Sequence, residues 1–220
     1  MKDKVAAEIA SRVKKGEVLG VGTGTTVDAA LTKIAERVRS EGLTVSVVPT
    51  SYETAWRCAE IGLTVVSPET VGVLSWGFDG ADAVDPARRL IKGKGGALLK
   101  EKVLAKKCTR FVVIVDESKL VKDLAQACPI PVEVLPEALL LVQGNLRALG
   151  ATSITLRQGT GKHGPTITEA GNVIVDVVFP RIGDTLERDL KSIVGVVESG
   201  LFSGYAHEVL VAYADGVRSL

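Results

Sequence analysis

Cysteine and histidine are scarce in this chain of 220 residues, with three of the first and two of the second. Cys58, Cys108 and Cys128 are odd in number and show no CxxC spacing, so neither a disulfide framework nor a zinc motif is expected. They read as reduced core residues of a cytoplasmic protein. His163 and His207 alone are too few for a histidine-rich metal site. Long apolar runs are missing as well, since none approaches the roughly 18 residues that a bilayer span requires. The opening run MKDKVAAEIASRVKKG is charged throughout and lacks the apolar centre of a secretory signal. A surplus of one charge sign is also absent: lysine plus arginine is 27 against 26 acidic residues. Nothing therefore supplies the counterion release that drives nucleic-acid binding. Internal repeats and low-complexity tracts are absent too.

What is present suffices for a full core. The chain is 46% apolar and 24% charged, enough for one domain or for a domain with a smaller satellite. Its first half alternates helical and strand patterns, as a parallel sheet with crossover helices demands. Val5, Ile9 and Val13 form one apolar stripe of a helix over 3–15, stopped by Lys14-Lys15-Gly16. A strand over 18–21 runs into GVGTGTT, and a helix follows with Val27, Leu31, Ile34 and Val38 inward. Strands are expected over 44–48, 63–66, 71–76 and 111–115, with helices over 51–61 and about 97–107.

After Cys128 the rhythm changes. Strand 130–135, helix 137–149, strands 153–156 and 172–179, helix 185–193 and strand 196–198 give the order βαββαβ. That is the split pattern of a ferredoxin-like unit. Arg157-Gln158-Gly159 and Gly161-Lys162-His163-Gly164 read as a long hairpin connection within it. The stretch 208–213 is expected to return to the first sheet. The predicted organisation is an α/β body over 1–128 and 200–220, with a smaller α+β unit inserted over 129–199.

Three segments carry chemistry. GVGTGTT, residues 20–26, lets backbone N–H groups approach an anion at a helix N-terminus, and its threonines add hydroxyl donors. It is neither a dinucleotide G-x-G-x-x-G nor a Walker A loop. The second strand ends in Pro49-Thr50-Ser51 without a carboxylate for a ribose, which disfavours NAD. The bland alternative is an ordinary strand-to-helix turn capped by threonine. In DGADAVD, Asp79 and Asp82 suit sugar hydroxyls or a proton shuttle, and offer too few oxygens for magnesium or manganese. An Asx-type turn that satisfies its own backbone is the simpler reading. KGKGGALLKEK, residues 92–102, surrounds an anion with glycine N–H groups and two lysines, and Glu101 follows on the next helix.

With Leu99, Val103 and Leu104 as the apolar positions of that helix, Glu101 belongs to a polar face. Lys100, Lys102, Lys106 and Lys107 are expected to be solvated. Lys119, in Asp116-Glu117-Ser118-Lys119 after the 111–115 strand, stands where parallel sheets display ligand groups. A lone lysine is more often merely solvated.

In this order and at these intervals, GVGTGTT, DGAD, KGKGGALLKEK and DESK resemble the A-type ribose-5-phosphate isomerases. The resemblance continues through PVEV at 131–134, RQG at 157–159, GNVIVD at 171–176 and DGV at 215–217. It implies a Rossmann-like body with a ferredoxin-like lid, in agreement with the pattern above. It further implies interconversion of ribose 5-phosphate and ribulose 5-phosphate without metal or organic cofactor, by a homodimer or homotetramer. By the same resemblance Glu101 is the catalytic base, and Asp79, Asp82 and Lys92 complete the catalytic cluster. Thr23, Gly24, Thr25, Thr26, Gly80, Ala81, Gly93, Lys94, Gly95 and Lys119 are the implied substrate-binding positions.

Three departures stand out: Ala83 replaces the acid of the usual DGADE, Lys94 interrupts the usual glycines, and Thr25 stands where serine is common. Lys94 is expected to point outward. Three rival readings are a sugar-phosphate-sensing effector module, an acyl-transfer enzyme of the coenzyme A transferase type, and a metal-dependent aldose isomerase, which two histidines disfavour. The first needs a DNA-binding element for which the first fifteen residues are too short. The second would show a covalent intermediate and ping-pong kinetics.

Overall fold

A computed structural model of the chain describes residues 2–161 and 163–220, so Lys162 of the hairpin connection lies outside the described residues. The chain divides into two compact units. The first holds the chain up to Ala81, Lys100–Lys119 and Tyr205–Leu220, and the second holds Asp82–Leu99 and Leu120–Gly204.

In chain order the first unit begins with α1 (Lys2–Arg12), β1 (Val18–Val21), α2 (Thr25–Glu41), β2 (Ser46–Pro49), α3 (Tyr52–Glu60), β3 (Thr64–Val65) and β4 (Leu74–Asp79). The second opens with β5 (Ala83–Val84) and β6 (Leu90–Ile91). After them come α4 (Leu98–Lys107) and β7 (Cys108–Asp116). The later elements of the second unit are β8 (Ile130–Val134), α5 (Leu139–Ala148), β9 (Ser153–Leu156), β10 (Val173–Val178), α6 (Leu186–Lys191), β11 (Val196–Ser199) and β12 (Leu201–Phe202). The chain closes with β13 (Glu208–Ala212) and β14 (Val217–Ser219) back in the first unit.

The first unit is built on a seven-stranded sheet of order β14-β13-β7-β4-β1-β2-β3. Every pairing in it is parallel except β13 with β14. The inner strands are continuous apolar runs, as a sheet covered on both faces requires. Val5 and Ile9 of α1 pack with Val27, Leu31 and Ile34 of α2 in one fully buried cluster beneath Leu19, Val21 and Phe78. Each such side chain contributes about 1.5–3 kcal/mol on removal from water. Arg12, from the last turn of α1, and Arg110, from β7, both bond Glu208 at the start of β13, at 2.8 and 2.7 Å.

The second unit contains a four-stranded antiparallel sheet of order β11-β8-β10-β9. With α5 and α6 this is the βαββαβ order expected from sequence, its strands arranged 4-1-3-2. One face of β10, with Val173, Val175 and Val177, packs on Val142, Leu146, Leu186 and Leu190 of the two helices.

A second sheet of this unit, β12-β6-β5, escaped the sequence reading because its strands are only two residues long. It ties the segment after Ala81 to this unit. Lys92 N–H donates to Gly200 O at 2.8 Å, and Val121 N–H donates to Val84 O at 2.9 Å. By packing, residues 82–99, 120–128 and 200–204 therefore go with the inserted unit. The strand expected over 71–76 lies instead at Leu74–Asp79, with Val73 80% exposed before it. That shift puts Asp79 at the last position of the strand. Among the described residues no helix is long and apolar enough to cross a membrane.

Candidate active site

In the first unit β1 is flanked by β2 on one side and β4 on the other, so the winding of the sheet reverses between β1 and β4. Open α/β sheets bind ligands at such a reversal, outside the carboxyl ends of the strands. The two chain ends that emerge there are Gly22–Thr26 and Asp79. Gly22 N–H donates to Phe78 O at 2.9 Å, drawing the turn onto the end of β4. Thr23 N–H and Gly80 N–H then both donate to Asp79 Oδ1, at 3.2 and 2.7 Å. The Asp79 residue is 0% exposed.

Behind the turn lies a knot of hydroxyls. Thr23 Oγ1 is 2.9 Å from Thr50 Oγ1, 2.8 Å from Ser51 Oγ and 3.1 Å from Thr54 Oγ1. Thr54 Oγ1 donates to Gly22 O at 3.1 Å, and Ser51 caps α3 by accepting from Thr54 N–H. Thr50, Ser51 and Thr54 are all buried. Sequence reasoning noted the first two as hydroxyls at the end of β2 and passed over Thr54, because hydroxyls carry no periodicity.

The N-terminus of α2, with Gly24 as its N-cap, presents free first-turn N–H groups next to Thr25 and Thr26. Lys2, which the sequence reading missed, donates from Nζ to Thr25 Oγ1 at 2.6 Å. Lys119 stands in the 3₁₀ turn Glu117–Lys119 directly after β7. The Ser118 hydroxyl, and more weakly the charges of Lys119 and Lys2, hold the Asp116 carboxyl below its usual range. Two cations and a helix N-terminus thus gather at the carboxyl end of the sheet, an arrangement suited to an anionic group.

Glu101 occupies the first turn of α4 and is 5% exposed. Here the structure corrects two expectations. Lys102 is buried, also 5% exposed, whereas Val103 is 46% exposed. The inward face of α4 runs through Leu98, Glu101, Lys102 and Ala105, spaced three and four apart. Lys102 inside an apolar stripe defeats the expectation that it is solvated, whereas for Glu101 the pattern leaves water and cleft both open. Lys102 and Lys106 lie over the Tyr205 ring at 5.5 and 4.5 Å, and Lys100 over the Tyr52 ring at 4.4 Å. Lys107 Nζ donates to the carbonyls of Pro68 and Val71, so only Lys106 of the four is exposed.

The second unit brings together its own residues. The antiparallel register Ala83↔Ile91, continued by one pair, sets Asp82 opposite Lys92 at the end of the β5–β6 ladder. Asp82 N–H donates to Ile91 O at 2.8 Å. Lys92 is 3% exposed, with Nζ 5.8 Å from the Phe202 ring centroid. Gly93 then turns the chain at φ 100, where an added Cβ would stand 2.8 Å from Leu98 Cβ, so only glycine fits. Lys94 N–H donates to Asp82 Oδ2 at 3.0 Å, while the Lys94 and Gly95 residues are exposed. Ala83, at the position of the missing acid, is 1% exposed within the apolar core.

Other polar candidates are structural. His207 Nδ1 accepts the Phe111 N–H at 3.1 Å. Burial pushes the Cys58 and Cys108 thiols up to about 12, which removes them as nucleophiles. Cys128 is half-buried against the core of the second unit. Among the described residues no three His, Cys, Asp or Glu side chains come together to hold a metal ion.

Comparison with known proteins agrees with this chemistry. The family model described as ribose 5-phosphate isomerase A (phosphoriboisomerase A) matches residues 46–216. Ribose-5-phosphate isomerase A of Methanothermobacter thermautotrophicus is 41% identical over 222 residues, covering 100% of this chain and 97% of that protein. The solved structure of ribose 5-phosphate isomerase A from Methanocaldococcus jannaschii matches with a TM-score of 0.95 at 41% identity, over 100% of this chain and 97% of that one. A D-ribose-5-phosphate isomerase solved in complex with phospho-erythronic acid matches with a TM-score of 0.94 at 38% identity, again over 100% and 97%. With identity at this level along its whole length, the chain belongs to the ribose-5-phosphate isomerase A family.

Proposed function

We propose that Glu101 carries the isomerisation as its single general base, moving one proton between neighbouring carbons through a cis-enediolate. The reaction itself comes with the family: interconversion of D-ribose 5-phosphate and D-ribulose 5-phosphate, an aldose–ketose isomerisation. The sugar ring opens first: Asp79 takes the proton of the C1 hydroxyl and delivers it to the ring oxygen as the bond from C1 to that oxygen breaks. Glu101 then removes the proton from C2 of the open aldehyde and delivers it to C1. Lys92 and the N–H groups of its loop stabilise the negative oxygen of the intermediate. Asp82 passes the hydroxyl proton between the two oxygens.

A positioned base contributes about 10²–10⁴ in rate, and an oxyanion donor about 10²–10³. Lys119, Lys2 and the start of α2 take the phosphate, whose remote binding energy holds the open chain in register. Thr23, Gly24, Thr25, Thr26, Gly80, Ala81, Gly93, Lys94 and Gly95 complete the substrate contacts.

The burial of Glu101 in the first turn of α4 supports this reading most. A carboxylate withdrawn from water costs stability unless it is used or compensated. The phospho-erythronic acid bound by the related isomerase points the same way, because its carboxylate is a planar anion like an enediolate. The proposal extends to a cytoplasmic homodimer or homotetramer needing no metal or organic cofactor and engaging neither nucleic acid nor membrane.

Turnover in deuterium oxide tests the proton route. Deuterium should appear at C1 of the ribulose 5-phosphate formed. Product with no solvent deuterium at C1, together with parental turnover in Glu101→Gln, would mean a hydride shift and would remove the base from the mechanism.

A further inference from the structure

Arg157 lies one residue beyond the end of β9, in a segment to which the reaction assigns no part. Its backbone is pinned on both sides: its N–H donates to Ile174 O at 2.9 Å, and its carbonyl accepts from Thr166 N–H at 2.8 Å. From this anchored position the guanidinium spans four acceptors. Nε donates to Asp176 Oδ2 at 2.9 Å, and Nη2 donates to Asp176 Oδ1. Nη1 donates to the carbonyls of Gly93 and Lys94, at 2.8 and 3.0 Å. The side chains of Arg157 and Asp176 are 17% and 24% exposed, so the pair is largely shielded from water.

The loop it grips faces solvent at its tip. Lys94 and Gly95 are exposed, and Gly93 and Gly96 bracket them at positive φ. A Cβ at Gly96 would stand 3.5 Å from Ile174 Cδ1, so the loop lies along the face of β10 that bears Ile174 and Asp176. The opposite face of β10 is given over to the apolar core.

One peptide unit links the clamp to the chemistry. The Gly93 carbonyl that accepts from Arg157 and the Lys94 N–H that donates to Asp82 belong to the same planar amide. Fixing the oxygen of that plane fixes the direction of its N–H. A cation on the carbonyl also polarises the amide and strengthens the bond at its far end. We infer that Arg157, braced by Asp176, is a positioning residue for Asp82, acting through the Gly93–Lys94 peptide. Lysine would not serve, because a point charge cannot meet a carboxylate and two carbonyls in one plane.

This inference rests on the proposed proton-relay role of Asp82, and the test separates the two. Steady-state kinetics on ribose 5-phosphate are measured for Arg157→Met, Asp82→Asn and the double variant, with thermal melts for each. Arg157→Met should lower kcat roughly 10- to 100-fold, as expected for a misplaced catalytic group, with KM within about threefold of the parent. In the Asp82→Asn background the same change should cost less than about threefold, because its route is already cut.

Losses that multiply, or a kcat for Arg157→Met within about twofold of the parent, overturn the inference. Near-normal turnover in Asp82→Asn would instead remove the role of Asp82 itself, and with it the reason for the clamp. If Arg157→Met does not fold, Asp176→Asn loosens the guanidinium while leaving an acceptor in place. It should lower kcat about tenfold with the same loss of additivity, and normal kcat there also overturns the inference.

Discussion

Gly22 and Asp79 occupy almost the same space: a Cβ on residue 22 would fall 1.9 Å from the Asp79 carboxyl carbon. The turn after β1 therefore closes over the end of β4 only because residue 22 has no side chain. The carboxylate that receives the Thr23 and Gly80 N–H groups is held in place by that contact. Gly22→Ala should displace Asp79 and lower kcat by about 10², with overpacking costing about 1–3 kcal/mol. Activity and melting temperature measured on the same preparation check this, and an alanine variant with parental kcat would show that Asp79 can act from elsewhere.

Glu101→Gln keeps the shape of the side chain and removes its basicity. The expected result is a loss of about 10²–10⁴ in kcat with substrate binding retained. Binding is read by calorimetry with a phosphorylated sugar acid, so that a folding defect is not mistaken for a chemical one. Near-normal turnover would take the base role away from Glu101.

Lys119→Ala and Lys2→Ala each remove a cation from the carboxyl end of the parallel sheet. Both should raise KM, by roughly tenfold or more for a charge-assisted bond to phosphate, with a smaller effect on kcat. Equal losses in kcat and kcat/KM would place either lysine in transition-state stabilisation instead. The Asp116 carboxyl should titrate higher in both variants, since each lysine charge lowers it. Carbon-detected NMR of that carboxyl reads the change.

Glu208 predicts the acid sensitivity of the first unit. Its carboxyl is drawn down from 4.5 to about 2, chiefly by the hydrogen bond from Arg12, with Arg110 adding a second. A carboxylate whose folded value is depressed stabilises the protein above its unfolded value, and that contribution disappears as pH falls from about 4.5 toward 2. The shift corresponds to at most about 3 kcal/mol at neutral pH. In urea melts, Glu208→Gln should be less stable than the parent at pH 7, and the gap should narrow below pH about 4.5. A gap that is constant with pH would assign the loss to packing.

Prolonged incubation with a chelator, followed by the same assay, should leave turnover unchanged. Loss of activity that added divalent ions restore would show that the carboxylates of this chain act with a metal ion.

Much of this architecture was legible beforehand. Val5 and Ile9 are inward in α1, Val13 is buried one residue past its end, and β1 and β9 begin and end at the expected residues. The βαββαβ order of the second unit also stands as the pattern implied. The errors lie where local pattern and tertiary demand part. α4 turns Lys102 inward and Val103 outward. β4 runs on through Gly77 and Phe78 to Asp79, a stretch whose glycine weakens any strand signal. β5, β6 and β12 are too short to show an alternation at all.

The amino-acid order by itself determined the layering of the chain, because alternation of apolar and polar residues is a local property and burial of apolar surface dominates folding. It also supplied the chemical groups, in glycine-, aspartate- and lysine-bearing turns that lie at the ends of predicted strands. Only the tertiary structure decided which groups meet: Lys2 with Thr25, 23 residues away, and Arg157 with Gly93, 64 residues away. Such bonds leave no periodic trace, since a single donor and acceptor joined across the fold impose nothing on the residues between them.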